Sequence, residues 1–305
     1  MVLATGLKVL TKADRGSYAV GAFNVNNMEI LQGVVRAAEA TRSPVFVQTS
    51  EGAIDYAGLE CLYTMMLYAA ESSSVPVVIH LDHGRDLDVV RKCIKIGYTS
   101  VMYDGSHLPF EENIATTRNV VRWAHRHGVS VEAELGTIGG AEDKVSARTI
   151  VYTEPDVARS FIERTGCDSL AIAIGTSHGA YKFAGQAQLD LARLRVIKRL
   201  LRMPLVLHGA SGVPQQLVEK IKQFGGDLGT PEGVPDDQIA QAVRLGINKV
   251  NTDTDLRLAF TEAVRETLVT NVHAFDPRKI IGPARDAIQA VVEQRMKLFG
   301  SAGKA

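Results

Sequence analysis

The chain has 305 residues, 46% of them hydrophobic and 22% charged, a composition that excludes disorder and leaves room for a substantial buried core. Basic and acidic residues number 34 each, so no overall field draws the protein to nucleic acid or to an anionic membrane. No apolar run reaches the ~20 residues of a membrane span, and residues 1–10 lack the core and cleavage site of a signal peptide; the expectation is a cytoplasmic protein with no nucleic-acid or membrane partner.

In chain order, eight short runs rich in β-branched residues recur at 19–25, 45–49, 77–81, 100–103, 130–135, 169–174, 205–207 and 247–250. Each leads through a polar or glycine-containing turn into a longer segment of helical periodicity. Pro44, Pro76 and Pro204 stand just before strands, where a helix must already have stopped. The segment 111–127 reads as a helix ended by Gly128, with His125 and His127 at the negative end of its dipole. The runs are apolar almost throughout, as strands must be when helices cover one face and a barrel interior the other.

Strand and helix alternating eight times predict a single (β/α)8 barrel over 1–305, with active-site loops near 136–146 and 177–188 expected to move. A doubly wound open sheet is the alternative, but the first strand-to-helix turn, 24–28, lacks the glycine-rich dinucleotide fingerprint. Stretches 136–146 and 225–233 read as long functional loops. Cys61, Cys93 and Cys167 are odd in number and set among apolar residues, so buried, reduced thiols are expected.

A barrel of this kind works at the carboxyl ends of its strands. There the chain places Asn24, Ser50, Asp82, His83, Asp104, Glu134, His178, His208, Asn251 and Asp253. His83, His178 and His208 follow the third, sixth and seventh strands, and three neutral imidazoles with an open position make a catalytic zinc-type site. Asp82 beside His83 fits a general acid or base, or equally a carboxylate that orients a ligand. Asp104 and Glu134 fit either a second cation or salt bridges at the barrel mouth. His80, inside a strand, reads as a core histidine. The stretches after strands seven and eight, His208-Gly-Ala-Ser-Gly212 and Asn251-Thr-Asp-Thr254, expose backbone amides where such barrels bind phosphate.

These residues fall within Ala22-Phe-Asn-Val25, His80-Leu-Asp-His-Gly84, Tyr103-Asp-Gly-Ser106, Glu132-Ala-Glu-Leu-Gly136, Gly175-Thr-Ser-His-Gly179, Leu207-His-Gly-Ala-Ser-Gly212 and Asn251-Thr-Asp-Thr-Asp255. In that order, over nearly the whole chain, the sequence resembles the class II fructose-bisphosphate aldolases. The resemblance implies reversible aldol cleavage of a sugar bisphosphate through a metal-stabilised enediolate, as in glycolysis and gluconeogenesis. It implies that His83, His178 and His208 bind a divalent transition metal, zinc first and cobalt second. Asp104 and Glu134 match a second or alternate metal position, and a second or monovalent cation is a further expectation.

By the same resemblance Asp82 exchanges the aldol hydroxyl proton, and Glu142 moves the proton on the dihydroxyacetone phosphate carbon. Gly179, Gly209, Ala210, Ser211, Asn251, Thr252, Asp253 and Thr254 look like ligands of that half of the substrate. Ser50 and Arg257 resemble residues holding the aldehyde half, and Arg278 one supplied by a neighbouring subunit, so a homo-oligomer, dimer or tetramer, is implied. Asp253 favours fructose over tagatose bisphosphate. A Schiff-base aldolase using Lys249 or Lys182, a metal-dependent hydrolase and a non-catalytic sugar-phosphate-binding barrel are the rival readings.

Overall fold

The computed structural model describes residues 3–142, 145–147, 150–178 and 188–305, with the backbone alone described at 141, 142, 145–147 and 178. Helix α1 (Gly6–Gly16) precedes β1 (Val20–Asn24), α2 (Met28–Thr41) and β2 (Val45–Thr49). Next come α3 (Glu51–Ala57), α4 (Leu59–Ser72), β3 (Val77–Gly84), α5 (Leu87–Ile96), β4 (Ser100–Tyr103) and α6 (Phe110–Arg126). They are followed by β5 (Ser130–Leu135), β6 (Gly139–Glu142), β7 (Val145–Ala147), α7 (Pro155–Thr165), β8 (Ser169–Ile172) and β9 (Ser177–His178). The remainder is α8 (Leu191–Leu201), β10 (Leu205–Leu207), α9 (Gln215–Gln223), α10 (Asp236–Arg244), β11 (Ile247–Thr252), α11 (Thr254–Thr270) and α12 (Pro277–Leu298).

Strands β1, β2, β3, β4, β5, β8, β10 and β11 pair in parallel and close, β1 meeting β11 through Val20↔Lys249 and Ala22↔Asn251. All eight predicted runs are therefore barrel strands. Because side chains alternate along a strand, Phe23, Val47, Ile79, Leu81, Val101, Val131, Leu170 and Leu207 join the core beneath the surrounding helices. The inward set changes character along the barrel axis. Val20, Ala22, Phe46 and Val78 pack on Val9, Leu10 and Ala13 of α1, which seals the amino-terminal end. Gly6 lets that helix in: a Cβ there would lie 2.8 Å from the hydroxyls of Ser100 and Ser130. Toward the carboxyl end the inward residues become His80, Asp82, Asp104, Glu132, Glu134, His208, Lys249 and Asn251, nearly all buried.

Four details differ from the sequence expectation. Strands β3 and β11 run to Gly84 and Thr252, so Asp82, His83, Asn251 and Thr252 lie on strands rather than after them. Residues 139–142 and 145–147 are not irregular: β6 and β7 form an antiparallel pair, and β6 also pairs in parallel with β9 through Gly139↔Ser177 and Gly140↔His178. The sixth helix starts and stops one residue early, at Phe110 and Arg126, and the His127 ring caps it by donating from Nδ1 to the Trp123 carbonyl at 2.8 Å. Cys93 and Cys167 are buried, but Cys61 is exposed, because α4 buries the stripe Leu62, Met66 and Ala70 and Cys61 lies off it. No helix among the described residues is long and apolar enough to cross a membrane.

Candidate active site

The end of β3 departs from regular strand geometry. Its pairing with β4 shifts register between Leu81 and Gly84, and His83 has φ 48°. In a regular strand Asp82 and His83 would face opposite sides; this bulge turns both toward the mouth. Asp82 is then held at both oxygens, Oδ2 accepting from Asn24 Nδ2 at 2.8 Å and Oδ1 from Asn251 Nδ2 at 2.9 Å. Gln48 in turn donates to Asn24 Oδ1 at 2.8 Å. Three amides thus fix the plane of one buried carboxylate.

His83 Nε2 lies 2.8 Å from His208 Nδ1, the rings edge to face with centroids 4.5 Å apart. On its other side His83 Nδ1 faces Asp104 Oδ2 at 3.2 Å and Glu134 Oε2 at 3.9 Å. Burial alone would strip the proton from His83, yet the carboxylates of Asp82, Asp104 and Glu134 push it up to about 10. Burial, with the Asp104 carboxylate beside it, raises Glu134 to about 8. Asp104 goes the other way: although burial opposes it, His83 and Arg85 hold it well below the usual carboxylate range. Arg85 Nη2 sits 2.7 Å from Asp104 Oδ2, and the Ser106 hydroxyl donates to Oδ1 at 2.6 Å.

The arrangement fits a divalent cation. One ligand atom from each of Asp82, His83 and His208 lies within 4.8 Å of the others, and the same holds for His83, Asp104 and Glu134. Two imidazole nitrogens 2.8 Å apart share one proton between two lone pairs, a site a cation can take over once that proton leaves. Among the described residues Glu134 Oε2 is a buried acceptor with no hydrogen-bond partner. Imidazole and carboxylate donors together suit zinc, cobalt and similar ions.

The other side of the mouth is made of backbone. Gly209 has φ 60°, and a Cβ there would lie 2.6 Å from the Ser177 carbonyl oxygen, so only glycine lets the chain after β10 lie against β9. Ser211 Oγ accepts from the Asp253 amide at 3.3 Å, joining the turn after β10 to the start of α11. Asp255 completes that join by accepting from the amides of Gly212 at 3.2 Å and Val213 at 2.8 Å. Val213, a β-branched residue at φ 49°, is in a costly conformation that these bonds hold. Behind them Arg295 Nε contacts Asp255 Oδ2 at 2.9 Å and the same guanidinium pairs with Asp236.

Of the predicted residues, Asp82, His83, His208, Gly209, Ser211, Asn251 and Asp253 line one cleft with Asn24. Asp104 and Glu134 adjoin it through His83, while Ala210, Thr252 and Thr254 are buried beside it. Ser50 and Arg257 share the wall of a neighbouring cavity of about 480 Å³. There Ser50 caps α3 by accepting from the Ala53 amide, and Arg257 pairs with Asp253. Arg278 stands apart, 90% exposed and folded onto Asp276. Glu142 closes β6 and His178 closes β9 by backbone alone; their side chains, with Gly179 and Lys182, lie outside the described residues. The rival nucleophile Lys249 is fully buried with its ammonium 2.9 Å from Glu132 Oε2, so it offers no free amine.

Sequence reasoning passed over Gln48, Glu132, Asp255 and Arg295, and left Lys249 only as a rival. A period-two reading of inward positions would have found Gln48 and Glu132. Nothing local marks Arg295, about forty residues beyond its partner Asp255.

A closed parallel barrel with imidazoles and acids converging at the carboxyl ends of its strands defines a metal-dependent barrel enzyme. Residues 4–304 match the family model described as fructose-bisphosphate aldolase class-II. The chain is 52% identical to a fructose-bisphosphate aldolase of Thermus caldophilus, with all of both chains covered. It is 46% identical to that of Giardia intestinalis, covering 100% of this chain and 95% of the other. Among solved structures, the YdjI aldolase from Escherichia coli K12 superimposes with a TM-score of 0.82 at 35% identity, covering 99% of each chain. The chain belongs to the class-II fructose-bisphosphate aldolase family, whose members are metal-dependent lyases.

Proposed function

We propose that this enzyme cleaves fructose 1,6-bisphosphate reversibly to dihydroxyacetone phosphate and glyceraldehyde 3-phosphate in the cytoplasm, serving glycolysis or gluconeogenesis with zinc, or cobalt in its place. The observation that carries the metal reading is the approach of His83 Nε2 and His208 Nδ1 to 2.8 Å at the mouth of the barrel. His83, His208 and, by family resemblance, His178 hold the cation; Asp104 and Glu134 offer the alternate position. Bound there, a divalent ion supplies Lewis-acid polarisation of the substrate ketone and stabilises negative charge on that half.

The chain's own residues do the rest. Asp82, oriented by Asn24 and Asn251, removes the aldol hydroxyl proton as the carbon–carbon bond breaks, and the bonding pair passes to the ketone half. Glu142 returns a proton to that carbon. Gly179, Gly209, Ala210, Ser211, Asn251, Thr252, Asp253 and Thr254 cradle the ketone half with its phosphate, and Ser50 and Arg257 face the other half. Exposed Arg278 fits a role in the site of a second copy, in a dimer or tetramer.

The test is cleavage of fructose and tagatose bisphosphates before and after chelation, with zinc and cobalt added back. Activity lost to chelator, restored by either ion and higher on fructose bisphosphate is the expected result. Turnover indifferent to chelation would remove the metal mechanism, and a preference for tagatose bisphosphate would overturn the reading of Asp253.

A further inference from the structure

Beneath the two converging imidazoles lies a charged pair that the reaction does not use directly. Glu132, 2% exposed, is inward on β5, and Lys249, 0% exposed, is inward on β11. Glu132 Oε2 meets Lys249 Nζ at 2.9 Å, and Glu132 Oε1 meets His208 Nε2 at 2.7 Å. The ammonium is satisfied on its remaining sides by His80 Nε2 at 3.4 Å and by the face of Phe46, 5.5 Å to the ring centre. His80 is fixed in its turn by Ser100 Oγ, 2.8 Å from Nδ1. Each polar atom of the pair is matched. Burying two charges this deeply costs more than apolar side chains of the same volume, so a pair in this place calls for a role beyond filling the barrel.

The structure assigns Glu132 and Lys249 as positioning residues that lock His208 in the tautomer carrying its proton on Nε2, so that Nδ1 is the nitrogen presented to the metal. This inference rests on the reading of His208 as a metal ligand. A carboxylate can only accept, so His208 must donate from Nε2 to Glu132, and its lone pair is then on Nδ1, the atom that faces His83 Nε2. Lys249 Nζ, 2.9 Å from Oε2, anchors the Glu132 carboxylate so that its other oxygen, Oε1, stays on His208 Nε2. His83 is oriented by the same logic in mirror image. Its Nδ1 is bound to Asp104, leaving Nε2 for the shared position. The two ligands thus offer different nitrogens because their carboxylates lie on opposite sides.

The decisive substitution is Glu132→Gln, which keeps the shape but supplies an amide that can donate to Nε2 and so permits the Nδ1–H tautomer, unable to bind metal. Because that change strands the Lys249 charge, the paired variant Glu132→Gln with Lys249→Met is made beside it, leaving no lone buried ion. Cobalt affinity, read by chelator competition, should fall about 10- to 100-fold in both. Nitrogen NMR of His208 in metal-stripped protein should shift from pure Nε2–H in the parent toward Nδ1–H. Glu132→Asp, which restores the charge, should recover most of the parent signature. A folded paired variant that binds cobalt with parental affinity and still shows Nε2–H overturns the inference. His208→Ala separates the two levels. Metal lost there but retained in the Glu132 variants condemns the positioning role alone, whereas metal retained in His208→Ala condemns the ligand assignment beneath it.

Discussion

On the β3 to β5 side of the mouth, joined by His208 from the end of β10 and Lys249 from β11, the working atoms belong to side chains, whereas in the turn after β10 and at the start of α11 they belong largely to backbone held from behind. The first side is a chain of imidazoles and carboxylates in direct contact, running from Arg85 through Asp104, His83 and His208 to Glu132 and Lys249. Within it His83 and Asp104, with Glu134 beside them, set one another's protonation. The second side carries no such chain. Its turn, 209–213, is shaped by positive φ at Gly209 and Val213 and braced by Asp255, Arg295 and Gly233. A cation needs donors of adjustable charge, which side chains provide; a phosphate needs amides at fixed positions, which backbone provides. Changes on one side should therefore alter metal or turnover, and changes on the other should alter the grip on phosphate.

Asp82→Asn puts this division under the greatest strain, since it should lower kcat by about 10²- to 10⁴-fold while leaving metal content unchanged in an assay of bound zinc. Metal lost in proportion to activity would merge the catalytic carboxylate with the ligands. Arg295→Met strands the buried Asp255 and should cost about 3–5 kcal/mol in urea unfolding, with a raised KM for bisphosphate and undiminished metal. If metal fell as well, the two sides would not be separable.

Gly233→Ala is a narrower probe. A Cβ there would lie 2.3 Å from the Gly212 carbonyl, so the turn must shift, at a cost of about 1–3 kcal/mol. The expected outcome is weaker competitive inhibition by a phosphate ester with kcat largely kept.

The smallest effect is in pH. Without metal, His83 is raised from 6.5 to about 10 and Glu134 from 4.5 to about 8. The native state then holds protons that the unfolded chain releases earlier, so the associated stability is present at low pH and lost as pH rises through about 8 and then about 10. In excess chelator, Tm should fall on the order of 5 °C between about pH 6 and about pH 9. A flat profile would mean that these groups do not share protons as their contacts indicate.

The eight barrel strands were legible because runs buried on both faces are apolar and three of them follow directly on a proline. The mouth residues were legible because histidine and carboxylate at strand ends are conspicuous. The supporting layer was not. Glu132 and Lys249 sit inside strands, where one polar residue among apolar neighbours reads as an ordinary edge position, and only closure of the barrel brings β5 and β11 within 2.9 Å. The strands run past Asp82 and Asn251 for a related reason: polar residues ordinarily mark the end of a strand, yet here polar residues inside the barrel continue it. The His83 bulge, which turns two consecutive side chains the same way, has no signature of composition at all.

The pairing of β1 with β11, and of Arg295 near the end of α12 with Asp255, bears on how the protein comes to exist on the ribosome. The Ala19 amide donates to the Phe299 carbonyl at 3.0 Å, so the residue leading into the first strand waits for the end of α12. Contacts this distant in sequence form slowly. In a growing polypeptide the imidazole cluster lacks Lys249 until β11 has emerged, and the turn opposite stays unbraced until Arg295 follows. Competence to grip phosphate is thereby one of the last properties that synthesis confers.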